Sequence, residues 1–187
     1  MGTLRIIAGT LKGRRIQVPD GLAVRPTANK VREALFDILG PLLAGMDVLD
    51  AYAGSGALGL EALSRGARTL TFLEADRNAA QYLRRNLKAM ALESRSRLVT
   101  LPVVTALTRR RGSMGPFDLV LADPPYRMDA AAELLVALSS QGALRPGARI
   151  VVEREASTPA LVDLASGFRL SRTTRYGRTC LDFYLFN

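Results

Sequence analysis

Asp50-Ala51-Tyr52-Ala53-Gly54-Ser55-Gly56-Ala57-Leu58-Gly59 is the stretch on which the fold class turns. The short apolar pair Val48-Leu49 leads into it, and an apolar helical segment, Leu58 to Leu63, leaves it. A strand that passes through glycines directly into a helix opens a βαβ unit. Outward from there the alternation continues. Arg68 to Leu73 reads as a second strand and Arg77 to Met90 as a helix with Ala80, Leu83, Leu87 and Met90 on one face. Arg97 to Leu101 is a third strand, Phe117 to Ala122 a continuous apolar fourth, Ala130 to Leu138 a helix, and Ala148 to Val152 a fifth strand. Strand–helix alternation with apolar strands specifies an α/β, Rossmann-like, mostly parallel sheet with helices on both faces. Phe168 to Arg175 and Thr179 to Phe186 are joined by only Tyr176-Gly177-Arg178, so they form an antiparallel C-terminal hairpin. At the other end, Leu4 to Ile7 and Arg15 to Val18, punctuated by Gly9, Gly13 and Gly21, read as a small basic β-hairpin arm over residues 1–26. Residues 27–187 then form the main domain. It begins with a helix capped by Thr27, with Val31, Ala34, Leu35, Ile38 and Leu39 at helical spacing, stopped by Gly40-Pro41.

A chain of 187 residues is about one domain. It contains no histidine, which excludes a Ser-His-Asp triad, a Cys-His dyad and any His-ligated metal site. One cysteine, Cys180, can form neither an internal disulfide nor a Cys-rich zinc site. No metal is expected. No apolar run approaches a membrane span, and the N-terminus has no signal-peptide pattern, so a cytoplasmic protein is expected. Lys+Arg number 26 against 17 Asp+Glu, a net charge of +9, which points to a polyanionic partner.

Gly54, Gly56 and Gly59 satisfy G-x-G-x-x-G, and Glu74 stands about twenty residues on at the end of the second strand. An acid there accepts hydrogen bonds from ribose hydroxyls. A dinucleotide and S-adenosylmethionine (SAM) both fit this pattern. Asp50 separates them: a carboxylate at the first strand end repels a pyrophosphate and attracts the cationic amine and sulfonium of SAM.

The fourth strand ends in Asp123-Pro124-Pro125-Tyr126. Ligands of open α/β sheets lie beyond the carboxyl ends of the strands, so Asp123 falls near Gly54. Two prolines stiffen the turn and remove two N–H donors, leaving a carboxylate and carbonyl oxygens as acceptors. Tyr126 offers a ring for stacking. Such acceptors suit an exocyclic amine on a base. They draw its hydrogens out of the ring plane and free its lone pair for in-line methyl transfer. Cys180, in the last hairpin, reads as a core thiol, which disfavours pyrimidine C5 chemistry.

With these motifs on the page the chain resembles the RsmD family of bacterial 16S rRNA guanine-N2 methyltransferases. The resemblance runs through Arg5 to Arg15, Arg25 to Phe36, Asp50 to Ala67 and Asp123 to Tyr126. It implies that Asp50, Gly54 and Gly56 line the methionine end of SAM, with Ala51, Tyr52, Ser55 and Ala75 beside them. It also implies that Glu74 binds the ribose, that Asp123, Pro124, Pro125 and Tyr126 hold the guanine amine, and that Arg25 to Arg32 close over the cofactor. The implied substrate is 16S rRNA within a small-subunit assembly particle. One departure stands out. Leu101-Pro102-Val103-Val104-Thr105 offers no acid after the third strand, leaving the adenine amine to a backbone carbonyl or to Thr105.

Arg5, Lys12, Arg14, Arg15, Arg25, Lys30 and Arg32 make the arm and first helix the expected RNA contact, with Arg109-Arg110-Arg111 as a second basic group. Tyr52, Phe36 and Tyr126 are the candidate stacking rings, Phe36 fitting a core position better. Three rival readings are a DNA adenine-N6 methyltransferase, a NAD-dependent oxidoreductase and a non-catalytic RNA-binding assembly factor. The first needs a target-recognition domain for which the chain has little room. The second leaves Asp123 to Tyr126 unexplained, and the third leaves the glycines and Asp123 unexplained.

Overall fold

The computed structural model describes residues 2–19, 26–109, 112–125, 129–162 and 167–187, with residues 26–28 and 41 described by backbone alone. Tyr126, Arg25, Arg110 and Arg111 therefore lie outside the described residues, as does the side chain of Thr27. The elements are β1 (Gly2–Arg5), β2 (Arg15–Val18), α1 (Pro26–Leu39), β3 (Asp47–Ala51), α2 (Ala57–Ser64), β4 (Thr69–Leu73), α3 (Arg77–Ala89), β5 (Ser96–Val99), α4 (Val103–Arg109), β6 (Phe117–Ala122), α5 (Ala130–Ser140), β7 (Leu144–Glu155), β8 (Phe168–Tyr176) and β9 (Thr179–Phe186). A seven-stranded sheet runs in the order β5-β4-β3-β6-β7-β9-β8, and β1 and β2 form a separate antiparallel pair. β3 to β7 are mutually parallel; β9 enters antiparallel between β7 and β8.

Alternation along the strands divides the core into two layers. Val48 and Phe72 pack with Phe36, Leu60 and Leu83 from α1, α2 and α3. Leu49, Val120 and Ile150 pack with Val103 and Leu107 of α4 and Leu134 and Leu138 of α5. Helix α4 goes beyond the sequence reading. Its seven residues begin with Val103, Val104 and Thr105, β-branched residues of modest helix propensity. Burial of Val103, Ala106 and Leu107 selects the helix regardless.

The arm is no mere basic appendage: Ile6, Ile16 and Val18 are buried within the first layer. Polar stitches hold it there. Glu61 of α2, fully buried, accepts from the backbone N–H groups of Ile7 (2.8 Å) and Ala8 (2.9 Å) and from Arg65 (2.8 Å). Ser64 donates to the Ala8 carbonyl and accepts from the Leu11 N–H. Asn86 of α3 exchanges both its hydrogen bonds with the Gln17 backbone and also donates to the Ser55 carbonyl, so arm, α3 and the glycine turn form one network.

Candidate active site

The sheet register places the carboxyls. Ala51 at the end of β3 stands opposite Leu73 of β4 and Ala122 of β6, and Ala122 stands opposite Val152 of β7. The residues that follow therefore stand at one level: Tyr52, Glu74 and Asp123 just beyond their strands, and Glu153 within β7, which runs on beside β9 to Glu155. A cleft of about 590 Å³ opens above this edge. It is lined by Tyr52, Leu73, Glu74, Ala75, Asp76, Pro102, Val103, Val104, Asp123, Pro125, Ala130 and Glu133.

The glycine turn forms one wall. Gly56, at φ 88°, is the N-cap of α2, and a Cβ there would come within 2.4 Å of Leu83. Tyr52 sits at φ 66°, costly for a bulky residue, and its hydroxyl donates to the Ala130 carbonyl (3.3 Å). Glu74 works twice: one carboxylate oxygen accepts from the Gly54 N–H (2.6 Å), the other from the Asp76 N–H (2.7 Å). Asp76 in turn caps α3 by accepting from the Ala79 N–H. Tyr52, Glu74 and Asp76 all line the cleft.

Asp50 lies beneath the turn instead of in the cleft wall. It is buried, and its Oδ2 accepts from the Gly59 N–H (2.8 Å). Burial, and after it the charges of Asp123 and Glu74, push its carboxyl up to about 7, against the pull of the Gly59 bond. Asp123 keeps an exposed edge in the cleft while the sheet end excludes water from the rest, and this burial pushes its carboxyl up to about 6. Thr105 is not part of the lining; Pro102, Val103 and Val104 are, and with Leu73 they give an apolar wall suited to a flat ring. Ser55 is buried, its carbonyl accepting from Asn86 of α3, and it is not part of the lining; Cys180 is buried within β9. Among the described residues no cluster of His, Cys, Asp or Glu is spaced to hold a metal ion, and no helix is long and apolar enough to cross a membrane.

The two edges of the same sheet contrast. At the N-terminal edge, Asp47 and Asp118 are each bonded to Arg145, and Asp47 also to Arg68, which with the other bonds holds its carboxyl well below the usual range. At the C-terminal edge, Asp50, Glu74, Asp123 and Glu153 make no ion pair among the described residues. A cationic ligand complements this edge. SAM, with its amine and sulfonium, its ribose hydroxyls for Glu74 and its adenine for the apolar wall, fits the residues present.

A pH dependence follows. Asp50 (about 7), Asp123 (about 6) and Glu153 (about 8) titrate above the unfolded value near ~4, so the native state holds more protons than the unfolded chain between those limits. Their contribution is present at low pH and lost as pH rises through the folded values. Without ligand, Tm should fall by at least about 5 °C between pH 5.5 and 8. Saturating SAM should flatten that slope by holding the carboxyls ionised. A ligand-free Tm that climbs steadily across this interval would contradict the assignment.

Fold and cleft together define a SAM-dependent methyltransferase. The chain belongs to the family described as Conserved hypothetical protein 95, which matches residues 4–185. It is 37% identical to Ribosomal RNA small subunit methyltransferase D of Escherichia coli K12 over 183 residues, 98% of this chain and 90% of that one. The solved structure of E. coli yhhF superposes with a TM-score of 0.88 at 36% identity, covering 100% of this chain and 99% of the other. The T. thermophilus 16S rRNA N2 methyltransferase RsmC, solved with AdoMet and guanosine, gives a TM-score of 0.74 at 26% identity, covering 99% of this chain and 50% of that one.

Of the expected RNA contacts, Lys12, Arg14, Arg15 and Lys30 are exposed, Arg5 is half of an exposed bond to the Gly13 carbonyl, and Arg14 donates to the Ala89 carbonyl (2.7 Å). Arg32 is buried, donating to the Arg5 carbonyl (2.7 Å) and to Asn29, so it ties α1 to the arm. Glu61, Ser64 and Asn86, which position the arm and the glycine turn, were missed in the sequence. Their only signal is a polar residue on an otherwise apolar helix face.

Proposed function

We propose that this protein transfers a methyl group from SAM to the exocyclic N2 amine of a guanine in 16S rRNA, in the cytoplasm, on RNA carried by a small-subunit assembly particle. The observation that carries this reading is the placement of Asp123-Pro124-Pro125 at the sheet edge, where Asp123 and Pro125 line the same cleft as Glu74. SAM, when bound, supplies a methyl group on a sulfonium leaving centre. The chain supplies position. Glu74 and the glycine turn orient the cofactor, and Asp123 with the Pro124 carbonyl accepts hydrogen bonds from the two amine hydrogens and turns the nitrogen lone pair toward the methyl. The N–C bond forms as the sulfonium S–C bond breaks, leaving a neutral thioether, and the nitrogen then gives one proton to the Asp123 carboxylate and from there to solvent. Fixing both reactants in this way removes much of the entropic barrier. The kinship with a 16S N2 methyltransferase and with small-subunit methyltransferases supports the RNA and the atom.

The test is tritiated-methyl transfer to 16S RNA and to small-subunit particles, both from cells lacking the enzyme, with nucleoside analysis. N2-methylguanosine is expected, more from particles than from naked RNA. Label in N6-methyladenosine would overturn the substrate assignment.

The exposed arm cations should add affinity without adding stability. Lys12→Ala with Arg15→Ala is expected to leave Tm and SAM affinity unchanged. The slope of log K against log salt for RNA should become shallower by roughly 0.7–0.9 per lost contact. Arg14→Ala should in addition lower Tm slightly, because Arg14 holds the last carbonyl of α3. Binding measured at several salt concentrations settles the point; an unaltered slope in the double variant removes the arm from the RNA interface.

A further inference from the structure

Asp123 has a neighbour of the same charge type. Glu153 follows Val152 on β7 as Asp123 follows Ala122 on β6, and Val152 and Ala122 are opposite each other in the parallel register. The two side chains therefore stand side by side on one face of the sheet. The frame around Glu153 is apolar: Leu35 of α1, Leu58 of α2, Leu121 and Ala122 of β6, Val151 of β7 and Leu181 of β9. On its other side Glu153 shares a recess with Pro124, Pro125, Arg154, Glu155, Asp182 and Tyr184. Arg154 there is paired with Asp182, and Asp123 is the charge that acts on Glu153. Burial, and after it the charge of Asp123, push its carboxyl up to about 8. A half-buried acid among leucines, beside another acid, weakens the fold, and among the described residues it makes no ion pair that would offset this. Such a cost persists where a ligand uses the group.

We propose that Glu153 is the specificity-determining residue that reads the target base, accepting the ring N1–H of guanine while Asp123 and the Pro124 carbonyl accept from the N2 amine. This inference rests on the guanine-N2 reading. Guanine presents three adjacent N–H bonds along this edge, two on N2 and one on N1. Asp123 lines the cleft, while Pro124 and Glu153 line the recess next to it, and Pro125 borders both, so three acceptors lie around one turn. Adenine carries a lone pair at N1, which an ionised acceptor repels. When Glu153 is protonated, its hydroxyl can reach the guanine O6 while its carbonyl oxygen still accepts from N1–H.

The experiment first maps the guanine that the wild-type enzyme methylates. It then compares RNA carrying guanine there with RNA carrying 2-aminopurine, which keeps the amine and lacks the N1–H. Wild type should prefer guanine by at least about tenfold in kcat/KM, one good hydrogen bond. Glu153→Ala should lose most of that preference, falling to about threefold or less. Glu153→Gln, which keeps a carbonyl acceptor, should recover it. Both variants should bind SAM as wild type does and melt at or above the wild-type temperature, which a structural role would not allow. Unchanged discrimination in Glu153→Ala overturns the inference, as does equal failure of the Ala and Gln variants while both stay folded and bind SAM. A wild-type enzyme that forms no N2-methylguanosine at all is a different result: it strikes down the underlying reading before any variant is compared.

Discussion

Asp123→Ala is expected to lower turnover by about 10²–10³-fold while the protein still binds SAM within about fivefold of wild type. The carboxylate's partner in the proposed reaction is the amine of the base, which is absent when only cofactor is bound. Glu74 and the glycine turn, which are proposed to hold the cofactor, are bonded to each other and to Asp76 without Asp123. One effect on SAM binding remains. Asp123 raises the proton affinity of Asp50, so its removal makes Asp50 easier to ionise and partly replaces the lost charge. Asp123→Asn separates acceptor from charge, because its amide oxygen can still accept one amine hydrogen. An intermediate rate is expected for it. Single-turnover methyl transfer together with calorimetric SAM titration checks all three proteins. Near wild-type turnover in the Ala variant would remove Asp123 from the reaction.

The sheet and its acidic edge were legible because they rest on period and punctuation. Leu119 to Ala122 is too apolar to face water on either side, and Gly54, Gly56 and Gly59 mark where strand yields to helix. Asp50, Glu74 and Asp123 could be placed at strand ends once the strands were known. Two things lay out of reach. Which carboxyl faces the ligand and which lies beneath it depends on how α2 packs on the sheet: Asp50 turns under Gly59, and no spacing in the sequence reports that. The arm misled for a similar reason. Ile6, Ile16 and Val18 are scattered among polar residues and glycines, and their burial is created by partners more than fifty residues away, Glu61, Ser64 and Asn86. Glu153 hid within the run Val151-Val152-Glu153-Arg154-Glu155, which reads as the polar end of a strand. Only the register with β6 gives it meaning.

Gly59→Ala is expected to weaken SAM binding by about a hundredfold or more and to destabilise the protein by about 1–3 kcal/mol. Gly59 lies in α2, where alanine is ordinarily the better helix former, so propensity alone predicts a gain. Contact decides otherwise. A Cβ at this position would come within 2.3 Å of the Phe72 ring, 2.7 Å of Leu70 Cδ2 and 2.9 Å of Asp50 Oδ2. Leu70 can yield by changing rotamer, but the Phe72 ring is fully buried in the first core layer and the carboxylate is fixed by its own bond. The relief that remains is for α2 to rise off the sheet. That movement breaks the Gly59 N–H bond, leaves Asp50 buried without its donor and carries Gly54 and Gly56 away from Glu74. Asp50→Asn provides the comparison, since its amide oxygen can keep the Gly59 bond while the charge is lost. SAM affinity in that variant should fall by about tenfold, short of the loss in Gly59→Ala. Thermal melts and calorimetry on the two variants distinguish loss of geometry from loss of charge. Should Gly59→Ala melt higher than wild type and bind SAM normally, the packing of α2 on Asp50 would not be what shapes the cofactor cleft.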